Sequence, residues 1–337
     1  MKTAARVGAT ALALALALAA MPALTQGAAP RTVKIAFIGK SYANPAFQAA
    51  HRGAQDAAVS LGRAHQITVQ INVLTPPRED ADAQVAQLAT AVRQGVDAVI
   101  IAPSDAHKLK EAINQAVDQG VAVMTFDNDV PGSGRFAHYG VDDTRVGERV
   151  FEELAAQLGD HGKVGIIGGN LASENLKRRA DGAMRAAAKH PGIQVLGPLS
   201  TVETPQDAAA EVLRVDAANP DIKGWAMLGG WPLYRSSQTP ALVEDLRRRE
   251  IKVVAVNALP EQLHYVEKGL APVLLAQPVY TWGSVTVTTV VEKVHIGKKV
   301  PEHIPMELVR VTRESLATWA RQLRDWGFKE VPTAFAP

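Results

Sequence analysis

The chain has 337 residues, with 36 Lys or Arg against 34 Asp or Glu, so its formal net charge is +2. This near-neutral balance argues against nucleic acid or an acidic membrane surface as a partner. The absence of cysteine excludes disulfides, thiolate chemistry, thiolate metal sites and a lipid-modified cysteine.

The first predicted element is an export signal over residues 1–29. Lys2 and Arg6 precede an uncharged stretch rich in Ala and Leu, and small residues around Ala28 are typical of a cleavage site. An uncleaved membrane anchor is the alternative, but Pro22 interrupts the stretch and its apolar part is short. With no anchor and no lipidated cysteine, we expect a protein retained in the periplasm of a Gram-negative cell.

From residue 33 onward, short β-branched apolar runs alternate with longer stretches that carry an apolar stripe. The runs predict strands at 33–39, 67–74, 98–102, 121–126, 164–167, 193–196, 225–228, 252–256 and 273–276. The longer stretches predict helices that include 45–61, 80–94, 108–119, 144–158, 176–189 and 241–249.

This alternation predicts an α/β fold with two similar, doubly wound, mainly parallel sheets. Two lobes are favoured because single cores stop growing at roughly 250 to 300 residues. In such sheets the carboxyl ends of the strands open onto the crevice where ligands bind. The residues that directly follow predicted strands are Lys40, Ser41, Ser104, Asp105, Asp127–Asp129, Gly168–Asn170, Gly229–Trp231, Asn257 and Gln277.

No complete catalytic or metal-binding motif occurs in the sequence. The nine histidines form no helical pair or cluster with metal-ligand spacing. Gly165, Gly168 and Gly169 match neither the dinucleotide fingerprint nor the Walker motif. The triplet 127–129 is similar to a metal and sugar-nucleotide motif of glycosyltransferases, but an exported protein meets no sugar nucleotides. We therefore expect a protein that binds a neutral ligand, with no cofactor and no enzymatic activity.

Short motifs occur in an order that is typical of one family. They are Ala43-Asn44-Pro45 with Phe47, residues 95–101 leading into 103–105, residues 123–127, Val141-Asp142-Asp143 with Gly147, Arg179 three residues before Gly182, Asn219-Pro220-Asp221, and Ala276-Gln277-Pro278. In this order they make the chain, from residue 33 to about 311, resemble the ribose-binding-like (type I) periplasmic sugar-binding proteins that feed ABC transporters.

The resemblance implies two lobes joined by a three-stranded hinge, with a ligand closed between them. The N-terminal lobe would comprise residues 31–141 plus 279–303, and the C-terminal lobe residues 142–277 plus 304–330. The chain would cross between the lobes near 141–143, 277–278 and 301–305.

The resemblance also implies ligand contacts in the first lobe. Asn44 would hydrogen-bond a hydroxyl, with capping of the next helix as the alternative. Phe47 would lie against a sugar ring, with core packing as the alternative. Asp127 would accept hydrogen bonds from two adjacent hydroxyls, which makes it the strongest single candidate.

In the second lobe the implied contacts are Arg179, Asn257 and Gln277. Arg179 would donate in a fork to ring or hydroxyl oxygens, with a salt bridge to a nearby carboxylate as the alternative. Asn257 and Gln277 would each present a donor and an acceptor. Gln277 also lies at a predicted crossing between the lobes, so hinge geometry is its alternative role.

Four departures from the family pattern bear on the substrate. Asn128 stands where pentose binders usually have an arginine, and Ala46 where they have a second aromatic residue. Asn257 stands in place of an aspartate, and Trp231 offers a stacking surface where an Asn-Asp pair is usual. These changes remove charge and open space, so ribose itself is a doubtful ligand.

Lys40 adds a cation at the end of the first strand. It would face a ligand hydroxyl, an acid sugar, or simply the carboxylate of Asp105 or Asp127. We expect a neutral monosaccharide or polyol as the ligand. Because Lys40 and Arg179 are cations, a sugar acid is the alternative ligand.

The expected function is that of a periplasmic substrate-binding protein that delivers its ligand to an ABC transporter permease by hinge closure. The alternative is a ligand receptor for a chemoreceptor, a sensor kinase or a quorum-sensing circuit. A repressor core of the same fold conflicts with the export signal, and a secreted glycosidase would need a carboxylate pair flanking a bond. We expect a monomer without a nucleic-acid partner.

Overall fold

The computed structural model describes residues 30–171, 173–234, 237, 239–332 and 335. The expected export signal, residues 1–29, lies outside these described residues. All the elements below belong to one structural unit, Thr32–Pro337.

Strands and helices alternate along most of the chain, as the sequence predicts, but three short strands at 137–140, 303–305 and 309–311 were not predicted. The strands are β1 Thr32–Ile38, β2 Thr68–Val73, β3 Ala98–Ile101, β4 Ala122–Phe126, β5 Ala137–Gly140, β6 Gly162–Gly169, β7 Ile193–Ser200, β8 Ile222–Met227, β9 Lys252–Val256, β10 Val273–Ala276, β11 His303–Pro305 and β12 Val309–Val311. The helices are α1 Pro45–His65, α2 Ala81–Arg93, α3 Ala106–Asp118, α4 Asp143–Leu158, α5 Glu174–Ala187, α6 Pro205–Ala218, α7 Pro240–Arg248, α8 Leu263–Glu267, α9 Tyr280–Val291 and α10 Leu316–Asp325.

The strands form two six-stranded sheets with matching topology. The first has the order β2-β1-β3-β4-β5-β11 and the second β7-β6-β8-β9-β10-β12. Neighbouring strands are parallel, except that β12 runs antiparallel to β10. Each sheet with its helices is called a lobe below. The predicted fold class of two doubly wound α/β lobes is confirmed.

The chain crosses between the lobes at three places. The first crossing follows β5 at Gly140, and the second follows β10 at Ala276. The third lies between Pro305 and Val309, because β11 pairs with β5 in the first sheet through Pro305. The sequence predicted this crossing near 301–305 and the lobe boundary at 303–304.

Strand β1 has an unbroken apolar run from Ile35 to Ile38, after the exposed Lys34. Ile35 and Phe37 belong to one hydrophobic cluster, which includes residues of α1 and α9. Ala36 and Ile38 belong to a second cluster, which includes residues of α2 and α3. A sheet that is covered on both faces buries every residue of its central strands, so the pattern is continuous rather than alternating.

Helices α4 and α5 touch backbone to backbone through two glycines. A Cβ at Gly147 would overlap the carbonyl oxygen of Arg179, and a Cβ at Gly182 would overlap that of Thr144. The same arrangement recurs in the first lobe where α1 meets α9. The glycines at these two helix contacts therefore allow the helix backbones to pack closely. Within the part of the chain that the structure describes, no helix combines the length and apolar character that crossing a membrane requires.

Candidate functional site

Lys40 and Asp127 meet at the carboxyl edge of the first sheet. Lys40 Nζ lies 2.9 Å from Asp127 Oδ2, and their side chains are 12% and 10% exposed. Asp127 has a left-handed backbone with φ 60°, a conformation that Asp and Asn tolerate better than most residues. A carboxylate has two oxygens that each accept more than one hydrogen bond, so Asp127 can pair with Lys40 and still accept from a ligand hydroxyl.

Two further charges, those of Glu79 and Glu203, act on this pair. Burial lowers the pKa of Lys40, but the carboxylates of Asp127, Glu79 and Glu203 raise it by more, so the pKa lies above its ordinary value. Glu79 belongs to the first lobe and Glu203 to the second. The charge of Lys40 is therefore balanced from both lobes.

Asn128 and Ser104 hold polar atoms without partners at the same edge. Asn128 is 2% exposed, and its Nδ2 donates to the carbonyl oxygen of Pro103 at 3.1 Å. Within the described ranges, neither Asn128 Oδ1 nor Ser104 Oγ has a hydrogen-bond partner although both atoms are buried. Because buried polar atoms are almost always paired, a bound ligand is a natural source of the missing bonds.

Arg179 is the central cation of the second lobe. Its Nε donates to Asp143 Oδ1 at 2.9 Å, and its Nη1 donates to the carbonyl oxygen of Leu228 at 3.0 Å. Burial raises the pKa of Asp143, and the guanidinium of Arg179 offsets only part of this rise. The salt-bridge alternative for Arg179 is thus present in the structure.

Tyr234, Asn257 and Gln277 form a hydrogen-bonded chain in the second lobe. Asn257 Nδ2 donates to Tyr234 Oη at 2.6 Å, and Gln277 Nε2 donates to Asn257 Oδ1 at 3.1 Å. Burial raises the pKa of Tyr234 to about 12, and the charge of Asp127 contributes to this rise across the cleft. The polar groups of the two lobes therefore face one another.

A partly open cavity of about 860 Å³ lies between the lobes. Its lining from the first lobe includes Ser41, Asn44, Gln48, Arg52, Arg78 and Glu79. Its lining from the second lobe includes Glu203, Trp231, Tyr234, Ser237 and Glu261. The volume is ample for a small polar ligand.

The structure shows helix capping by Asn44 and Asp105 and core packing by Phe47. Asn44 Oδ1 accepts from the backbone N–H of Ala46 at 2.9 Å, which caps α1 while the residue lines the cavity. Phe47 is 4% exposed and stacks on Trp282 with centroids 5.5 Å apart. Asp105 caps α3 by accepting from the backbone N–H groups of its first turn. Ligand contacts of Phe47 and Asp105 stay predictions.

Trp231 lies against glycine backbone in the second lobe. A Cβ at either Gly169 or Gly229 would overlap its indole ring, and the residue is 8% exposed. The glycines that follow β6 and β8 therefore make room for this ring.

Tyr234, Glu79 and Glu203 belong to the site, but the sequence did not single them out. Glu203 has a traceable signal, because β7 continues to Ser200 rather than ending at the predicted Leu196. Counted from the true end of the strand, Glu203 lies in the loop at the carboxyl edge of the sheet. Tyr234 lies in an irregular segment after β8, where no periodic pattern points to it.

Two buried histidines make the fold sensitive to acid. His51 bonds Thr75 Oγ1 at 2.9 Å, and Thr75 also accepts from the backbone of Gly39, beside Lys40. Burial lowers the pKa of His51 to about 4, and burial likewise lowers the pKa of His138 to about 4. Both side chains are therefore neutral in the folded protein at neutral pH.

Stability is expected to fall as the pH drops from 6.5 towards 4. In that window the unfolded chain binds protons at these histidines and the folded chain does not, which costs about 3 kcal/mol per histidine. Urea denaturation at a series of pH values measures this loss. His51→Gln should remove about half of it, whereas the exposed control His107→Gln should not. An unchanged pH profile in His51→Gln contradicts the assignment.

The family model described as periplasmic binding protein domain matches residues 35–299. A D-ribose/D-allose-binding protein of Pseudomonas aeruginosa is 29% identical over 68% of this chain and 72% of its own length. A ribose import binding protein of Escherichia coli is 24% identical over 83% of this chain and 90% of its own length. A xylitol-binding protein of Mycolicibacterium smegmatis is 23% identical over 56% of this chain, and the match spans 54% of that relative.

Solved structures share the fold over most of the chain. An ABC transporter solute-binding protein of Agrobacterium vitis, bound with α-D-tagatopyranose, superposes with a TM-score of 0.75 at 25% identity, covering 84% of this chain and 96% of that one. One from Burkholderia graminis, in complex with D-arabinose, superposes with a TM-score of 0.76 at 24% identity and the same coverage.

Proposed function

The chain belongs to the periplasmic binding protein domain family, within its ribose-binding-like sugar-binding type, and from this we propose that it captures a neutral monosaccharide or polyol for an ABC transporter. The ligand would be bound in the periplasm and delivered to a membrane permease. The observation that carries the proposal is the convergence of polar groups from both lobes on one cavity. Asp127 of the first lobe and Tyr234 of the second lie close enough for the charge of one to raise the pKa of the other.

Hydroxyl groups match the polar atoms at the carboxyl edge of the first sheet. Asp127 Oδ1 and Asn128 Oδ1 are acceptors, and Ser104 Oγ is both donor and acceptor. A sugar or polyol carries several hydroxyls, each a donor and an acceptor, so it can satisfy such a mixed set. The named ligands of the relatives, which are xylitol, ribose and allose, have this chemistry.

Charge favours a neutral ligand over a sugar acid. Lys40 and Arg179 already have carboxylate partners, Asp127 and Asp143, and the cations Arg52 and Arg78 of the cavity lining are accompanied by Glu79, Glu203 and Glu261. Glu79 and Glu203 add two further negative charges near Lys40. An anionic ligand would meet more negative than positive charge, and it would lose hydration on entering the cleft.

The three crossings between the lobes provide a hinge for binding. A ligand that contacts both lobes binds the closed arrangement better than the open one, and this difference drives closure. The closed form would then present both lobes together to the permease.

A thermal-shift screen of residues 31–337 against sugars, polyols, amino sugars and sugar acids tests the proposal. A ligand at one hundred times its dissociation constant adds about 2.7 kcal/mol of stability, which raises the unfolding midpoint by several degrees. We expect at least one neutral sugar or polyol to do so. Shifts with sugar acids alone, or with none of these compounds, would count against the assignment.

A further inference from the structure

The chain continues after α10 into a short segment that touches both lobes. We call residues 326–330 the C-terminal strap. It lies well beyond residue 299, where the match to the family domain ends.

The strap is fixed to the second lobe through α10. Trp319 of this helix donates its Nε1–H to the carbonyl oxygen of Ala258 at 2.8 Å. The rings of Trp319 and Trp326 pack edge to face, with centroids 5.5 Å apart and planes at 89°. The backbone N–H of Phe328 bonds the carbonyl oxygen of Leu323 at 3.0 Å, which turns the chain back at the helix end.

The other side of the strap rests on the first lobe. Trp326 stacks on Tyr280, the first residue of α9, with centroids 5.5 Å apart and an angle of only 2° between the planes. Tyr280 Oη in turn donates to Asp56 Oδ2 of α1 at 2.8 Å. Gly327 has φ 78°, and a Cβ there would overlap the guanidinium of Arg52. The positive φ favours glycine at 327, and the guanidinium of Arg52 lies directly against it.

The strap also forms one wall of the cavity between the lobes. Residues 327–330 line it together with Ala49 and Arg52 of α1 and with Leu259–Glu261 of the second lobe. Rotation of the lobes about their three crossings would separate α1 from Leu259–Glu261. The strap would then lose either the Trp326–Tyr280 stack or its own attachment to α10.

We propose that the C-terminal strap is a working part of the ligand-binding site, which holds the two lobes together and closes one wall of the cavity. Its contacts exist only while the lobes are near each other, so it favours the closed arrangement and strengthens binding of a ligand that needs closure. The ligand part of this inference rests on the proposed function. The effect on the distance between the lobes does not.

Spin-label distances in the ligand-free protein test the mechanical part. The chain has no cysteine, so Lys110→Cys on α3 and Ala217→Cys or Ala210→Cys on α6 introduce unique labels at exposed positions. We expect Trp326→Ala to shift the distance distribution to longer, broader values, and Tyr280→Ala to do the same from the other side of the stack. Trp326→Phe, which keeps an aromatic ring, should retain the original distribution. Identical distributions in all variants overturn the proposal.

Titration with the neutral ligand found in the screen tests the binding part. Loss of one aromatic stack should weaken binding by roughly two- to tenfold in Trp326→Ala, with recovery in Trp326→Phe. Longer distances with unchanged affinity would refute the role of the strap in the site. If the screen yields no ligand, the proposed function fails while the distance measurement still decides whether the strap joins the lobes.

Discussion

Asp127→Asn is expected to weaken ligand binding by about a hundredfold or more while leaving the protein folded, because the carboxylates of Glu79 and Glu203 still balance the charge of Lys40. The carboxylate would accept hydrogen bonds from two ligand hydroxyls, and bonds to a charged group contribute about 1.5 to 3 kcal/mol each. Asparagine suits the left-handed backbone of residue 127, which has φ 60°, and matches aspartate in size. Calorimetric titration with the ligand from the screen gives the dissociation constant.

Asp97→Asn is the matched control for Asp127→Asn. Asp97 precedes β3, at the opposite edge of the same sheet, and accepts from the backbone N–H of Lys34 at 2.7 Å. The same loss of a carboxylate at this position should change affinity by less than about twofold, since asparagine retains the acceptor oxygen. If Asp127→Asn binds as tightly as Asp97→Asn, with an unchanged circular dichroism spectrum, Asp127 does not contact the ligand.

Arg179→Met is expected to lower the free energy of unfolding by about 3 to 5 kcal/mol, because it strands a buried carboxylate. Asp143 and Arg179 have side chains that are 4% and 5% exposed. After the substitution, the contact of Asp143 with Arg178 Nη2 at 3.3 Å remains, and the carbonyl oxygen of Leu228 loses the Arg179 donor. Urea denaturation measures the loss.

Arg178→Met provides the comparison for Arg179→Met, since the Arg178 side chain is 40% exposed. Exposed ion pairs contribute little, so this variant should lose less than about 1 kcal/mol. The double variant Arg179→Met with Asp143→Asn should regain part of the stability, because no unpaired charge remains in the core. Equal losses of unfolding free energy in Arg178→Met and Arg179→Met would show that the buried pair stabilises the fold no more than the exposed one.

Helix α9 lacks the periodic apolar pattern from which a helix can be predicted. Its sequence is rich in Val and Thr and has no polar face, so the stripe that marks a surface helix is missing. The structure packs it against α1 on one side and the first sheet on the other. A helix that is buried all round carries little amphipathic signal, which explains why only its surroundings identify it.

The candidate cleft was predictable wherever polar residues directly follow strands. Lys40, Asp127 and Asn257 were singled out this way, because parallel strands bring their carboxyl ends to one edge. Glu203 was missed because the strand before it is longer than its apolar core suggests. Tyr234 was missed because its position depends on its bond to Asn257, which lies on a different strand-to-helix loop.

The two-lobed α/β fold and the edge where the cleft lies follow from the sequence alone. The spacing of apolar residues and the order of strands and helices can be read from residues that are close together in the chain. The partner of each buried charge depends on the tertiary structure, in which Lys40 pairs with Asp127 and Arg179 with Asp143. The same holds for the strap, where Trp326 meets Tyr280 across the lobes. Such contacts join residues far apart in the chain, and their energies depend on distance and burial that the packing of the lobes creates.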